Sequence, residues 1–160
     1  MGTIEGVLRR KDAEMGFYRQ LGAADGNTGI GDIFAMLAED ELRHRSAIQA
    51  LEEGEPVVLE SSPTLDAAKA ILRRLSVLDA PLAGFSFDLE RLHLAMALEA
   101  DCARAFALLA AHADEDSQRR LFSRLAEDEE IHFTLIENMH ELVSAAAGAL
   151  PPENEVKDAV

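Results

Sequence analysis

The stretch Leu37-Ala-Glu-Asp-Glu41-Leu-Arg-His44 returns 88 positions later as Leu125-Ala-Glu-Asp-Glu129-Glu-Ile-His132. A glutamate and a histidine three residues apart on a helix project to nearly the same side, so each copy presents a carboxylate and an imidazole together. Two such helices facing one another have the donors to grip two metal ions. The duplication predicts a metal site inside a helical bundle.

The repeat extends beyond the motif at the same offset, pairing Tyr18 with Phe106, Leu21 with Leu109, Ile33 with Leu121, Phe34 with Phe122, Ile48 with Ile136 and Leu51 with Met139. The chain therefore reads as two copies of a helical hairpin. Phe34, Leu37, Glu41, His44, Ile48 and Leu51 follow helical steps of three and four, and so do their equivalents. The Glu and His residues thus stand on the apolar stripe. A chance pair on a bundle edge would not recur there in both copies. Buried ionisable groups need compensation, which a bound cation supplies.

Bulk properties narrow the field. The chain has 160 residues, 48% of them hydrophobic, and a formal charge of −15. This length suits one domain with a sizeable core. The acidity disfavours nucleic acid and anionic membranes as partners, because each would meet a surface of its own sign. The lone Cys102 excludes an internal disulfide framework and any Cys-x-x-Cys metal module. The first residues, with Glu5 and Arg9-Arg10-Lys11-Asp12, lack the apolar core of a signal peptide, and the expected location is the cytoplasm.

Turn chemistry divides the chain. The first main helix is expected over 4–21, broken by the Gly-rich segment 22–29, and the second then runs to about Glu53. The segment 54–84, with Pro56, Pro63 and Pro81, reads as a long crossover. In it Ser61-Ser62-Pro63-Thr64 caps a short helix through Leu72 to Leu78. The third main helix is expected over 86–112 and the fourth from about Asp116 to Ala147. One domain over 1–148 and a flexible C-terminal tail over 149–160 complete the reading. Two short-linked hairpins joined by one long connection describe an all-α four-helix bundle of ferritin-like connectivity. Its pseudo-twofold axis would set Glu41-His44 against Glu129-His132, the carboxylates bridging two ions and each histidine capping one. Mixed carboxylate and imidazole donors suit iron or manganese, and the lack of thiolates argues against structural zinc, although a zinc ion could still be accepted.

On these motifs the chain resembles the rubrerythrin branch of the ferritin-like superfamily, over Ile4 to Ala147. The resemblance implies a non-haem di-iron centre, with Glu41, His44, Glu129 and His132 as ligands and further carboxylates from the first and third main helices. It also implies reduction of hydrogen peroxide or dioxygen and a role in oxidative stress. Fused rubrerythrins carry a four-cysteine rubredoxin module. With only Cys102, this chain would need a separate electron-donor protein. Such bundles commonly pair, so a homodimer is expected.

The other two helices fit the pattern less well. On the third, the stripe Leu92, Met96, Glu99, Ala103, Phe106 offers Glu99 as a fifth ligand, while Met96 stands where rubrerythrins often have a second glutamate. The repeat sets Lys11 opposite Glu99 and Leu8 opposite Met96. Lys11 has two readings. It either neutralises Glu99 across the bundle or snorkels outward and leaves Glu99 free. Glu14 lies at the edge of the stripe with Cys102 as its equivalent; it is the alternative carboxylate ligand from the first helix, and a solvent or interface role is its main expectation.

The remaining candidates have plainer readings. Glu90-x-x-His93 and Glu137-x-x-His140 are expected to be surface pairs. His112 complements a helix end. Cys102, Met36, Met96, Met139, Tyr18 and Phe106 are packing residues, although a tyrosine near a di-iron centre can also serve redox chemistry. Three functions compete. The first is a rubrerythrin-type peroxide or dioxygen reductase, the second a metal-binding or interaction protein with a degenerate site, and the third iron storage in a cage.

Overall fold

The computed structural model describes residues 2–24, 29–76 and 89–148, and among these there are five helices and no strand. They are α1 (Gly2–Ala24), α2 (Ile30–Glu52), α3 (Thr64–Ser76), α4 (Leu89–Ala111) and α5 (Asp116–Gly148). α1 pairs with α2 and α4 with α5, while the crossover helix α3 packs on α2 and α5. This is the expected ferritin-like bundle of two hairpins. The helices begin and end within a few residues of the expected places, α3 running from the expected cap at Ser62. The middle of the first turn, the second part of the crossover with Pro81, and the tail lie outside the described residues.

Local chemistry sets these boundaries. α2 ends in a Schellman motif, in which Glu55 N–H donates to Ala50 O at 2.9 Å and Gly54 N–H to Leu51 O at 3.1 Å. Gly54 takes the left-handed φ of +74° that this ending requires. At the other end of α2, Gly29 has φ +98°, and a Cβ there would stand 2.9 Å from Ile71 Cγ2, so only glycine lets α3 seat against the start of α2. α3 opens with the Thr64 N–H donating to Ser62 Oγ at 3.0 Å.

Two apolar clusters fill the bundle and flank a polar middle. One contains Tyr18, Leu21, Ile33, Phe34, Leu37, Leu92, Leu135, Ile136 and Met139, with Met36 and Met96 packed against it. The other contains Ile48, Cys102, Phe106, Leu121, Phe122 and Leu125. Between them lie Lys11, Glu14, Glu41, His44, Glu99, Glu129 and His132, none more than 3% exposed. The two apolar clusters hold this charged layer away from water.

Candidate metal centre

α2 and α5 each carry one Glu-x-x-His turn into the middle of the bundle, and the apolar steps around each motif fix which side faces in. Glu41, Glu99, Glu129 and His132 each offer a ligand atom, and these atoms all lie within 4.8 Å of one another. Among the described residues they form the one such group. The atoms Glu41 Oε1, Glu99 Oε2, Glu129 Oε2 and His132 Nδ1 are buried without a hydrogen-bond partner. His132 Nδ1 stands 3.2 Å from Glu41 Oε1 and 3.7 Å from Glu99 Oε2. Buried polar atoms without a hydrogen bond are costly, and a cation among them would satisfy all four residues at once. The donor set fits iron or manganese.

The other side of Glu41 and Glu129 is different. Lys11 Nζ donates to Glu41 Oε2 at 2.6 Å and to Glu129 Oε1, and pairs with Glu14 Oε2 at 2.8 Å. The Phe106 ring lies beneath it, its centroid 5.3 Å from Nζ. Burial opposes the charge on Lys11, but Glu129, Glu41 and Glu14 outweigh it and raise its pKa well above the usual value. Both expectations for Lys11 are thereby corrected: it neither pairs with Glu99 nor reaches solvent. Glu14 is corrected too, since it is buried and faces Lys11 and Cys102 rather than solvent, with Cys102 Sγ donating to Glu14 Oε1 at 2.7 Å.

The two histidines are held alike. His132 Nε2 lies 3.2 Å from Asp40 Oδ2, and His44 Nε2 lies 3.2 Å from Asp128 Oδ2. Each outer nitrogen is thus anchored, which turns each Nδ1 inward. Asp40 is in turn held by Ser62 Oγ at 2.7 Å and Arg43 at 2.8 Å, and Asp128 by Arg124 at 3.1 Å. His44 Nδ1 faces Glu129 Oε1 at 3.2 Å and Glu41 Oε2 at 3.7 Å, the same oxygens that Lys11 holds. Their rings lie 5.5 Å apart, related by the pseudo-twofold.

Charge is distributed unevenly over the layer. Burial would lower the His44 pKa, but Asp128, Glu129 and Glu41 push it up to about 10, and His132 is raised well above its usual value, against the cost of burial, by Glu99, Asp40 and Glu41. Despite the burial that raises it, Glu41 is held well below the carboxylate range by Lys11 and both histidines. Burial and the neighbouring Glu41 raise Glu129 to about 7, with Lys11 pulling the other way. Glu99 accepts a hydrogen bond from the Tyr18 hydroxyl, and burial together with Glu99 raises the Tyr18 pKa. Metal ligation here must displace protons from the inward histidine nitrogen.

The rubrerythrin family model matches residues 12–140. The chain belongs to the rubrerythrin family. The matched span begins one residue after Lys11, so the match is silent on that position. Comparison with curated proteins and with solved structures gave no match. The buried Glu and His cluster could hold a metal ion, and Asp40 and Asp128 beside it were the residues overlooked. Both lie inside the duplicated Leu-Ala-Glu-Asp-Glu segment at the same offset, and that was the signal that could have found them.

Elsewhere, His93 and His140 come together with ring centroids 4.3 Å apart, His93 exposed and His140 half-buried. No third donor joins them in a metal-binding group among the described residues. His112 Nδ1 reaches Leu108 O at 2.8 Å beside the end of α4.

Proposed function

We propose that this rubrerythrin-family protein binds a redox metal ion, iron before manganese or zinc, between Glu41, Glu99, Glu129 and His132, and reduces hydrogen peroxide or dioxygen. The observation that carries the reading is the convergence of four buried residues, each offering a ligand atom within 4.8 Å of the others. A bound ferrous ion would supply the electrons and the Lewis acidity for that reduction. The chain's own residues prepare the place. Asp40 fixes the tautomer and direction of His132, the Tyr18 hydroxyl holds Glu99, and Lys11 holds the far oxygens of Glu41 and Glu129. The flanking apolar clusters exclude water and competing ligands. Electrons for turnover come from a separate donor protein.

A second reading, a metal-binding protein without oxygen chemistry, is favoured by the basic residue on α1 where the symmetric position on α4 holds Glu99. Anaerobic loading with ferrous ion, followed by metal analysis and peroxide consumption with a supplied reductant, separates the two. Retained iron with peroxide turnover supports the reductase, and retained iron without turnover supports the second reading. Loss of all metal from the native chain on desalting would overturn both. The double substitution His44→Ala and His132→Ala should abolish loading.

A further inference from the structure

Resting on the metal-binding reading, we propose that the Lys11 ammonium is a built-in cation that fills one of two equivalent cation positions in the bundle, so that the chain takes a single metal ion on the Glu99 side. The geometry divides cleanly at Glu41 and Glu129. Glu41 gives Oε2 to Lys11 and leaves Oε1 unpartnered; Glu129 gives Oε1 to Lys11 and leaves Oε2 unpartnered. Glu41 Oε1 faces His132 Nδ1 at 3.2 Å, that nitrogen stands 3.7 Å from Glu99 Oε2, and Glu129 offers the fourth ligand atom of the same group. The two engaged oxygens belong with Lys11 and face His44 Nδ1.

The pseudo-twofold explains why this is a substitution and not a local ion pair. Lys11 and Glu99 are equivalent under the repeat, and so are Glu14 and Cys102, and Tyr18 and Phe106. On one side an anion, Glu99, meets the Tyr18 hydroxyl, a donor. On the other a cation, Lys11, meets the bare face of Phe106, whose quadrupole favours positive charge. Glu14 adds a carboxylate beside Lys11, at the position whose repeat equivalent is Cys102, and Cys102 donates to it. Three neighbouring positions are thus adjusted to the sign of the residue they meet. A second divalent ion beside Lys11 would set two cations together in a layer cut off from water, at high cost.

The asymmetry makes the two histidines unequal. His132 would bind the ion directly, whereas His44 would act through Glu129 and Glu41 as a positioning residue.

The test is a titration of cobaltous ion into the chelator-treated full chain, read by calorimetry, visible absorption and electron paramagnetic resonance. The expected result is one ion per chain with an uncoupled cobalt signal. Lys11→Glu should take two ions, with the signal altered by coupling between neighbouring centres. Two tight ions in the native chain would overturn the proposal while leaving the metal-binding reading intact. No ion in the native chain would overturn both. Should Lys11→Glu fail to fold, the single histidine variants decide. His132→Ala should lose affinity by more than the roughly 10–100-fold that an outer partner costs, and His44→Ala should stay within that range. Equal losses from the two would overturn the proposal.

Discussion

Asp40 on α2 and His132 on α5 meet across the bundle, Oδ2 to Nε2, at 3.2 Å. Because Asp40 also accepts from Ser62 in the crossover, this one carboxylate ties three elements to the orientation of one imidazole. Removing it should let the His132 ring turn and present either nitrogen. Asp40→Ala is expected to lower metal affinity by about 10–100-fold while leaving the helical content unchanged. Calorimetric titration with cobaltous ion checks it, and an unchanged affinity would show that the ring is held by packing alone.

Tyr18→Phe removes the hydroxyl that donates to the buried Glu99. A hydrogen bond to a charged group contributes about 1.5–3 kcal/mol, and the loss should be seen in full because Tyr18 is completely buried and no water replaces the donor. Urea unfolding of the chelator-treated protein measures it. A change under roughly 0.5 kcal/mol would mean that the hydroxyl adds no net stability beyond the packing of the ring.

The hairpin repeat and its connectivity were legible because apolar steps of three and four surround both copies of the motif, and because Gly and Pro mark the joins. Glu41, Glu99, Glu129 and His132 were legible for the same reason: each sits in phase with its stripe. The target of Lys11 was not. The repeat makes Lys11 and Glu99 equivalent, and equivalence was read as opposition. Residues related by a twofold stand at two separate stations, each turned to the groups on the axis, so Lys11 meets Glu41 and Glu129 and leaves Glu99 to Tyr18. The burial of Glu14 was hidden similarly, because its place at the stripe edge gave no sign that a buried ammonium would draw it inward.

Association can be tested on the outer face of α4, where Leu94 and Leu108 are 52% and 62% exposed. Large apolar side chains half in water on one helix suit a self-complementary contact. Light scattering of the native 17.4 kDa chain should give at least a dimer, and the pair Leu94→Glu with Leu108→Glu should shift it to monomer. A native monomer across the micromolar range would exclude the homodimer.

The matched signs of Lys11 with Phe106 and of Glu99 with Tyr18 predict an energetic coupling. Phe106→Tyr alone adds a hydroxyl to a packed ring beside an ammonium that is already a donor, and overpacking of this kind costs about 1–3 kcal/mol. In a Lys11→Glu background the same hydroxyl gains an anionic acceptor, as Tyr18 has in Glu99. The Phe106→Tyr change should then cost less or turn stabilising, with a coupling of about 0.5–3 kcal/mol in a double-mutant cycle. Urea unfolding of the four proteins with saturating cobaltous ion gives the coupling. Additive effects would mean that Phe106 serves Lys11 only as packing, and that the sign of the residue on α1 is not matched by its aromatic neighbour.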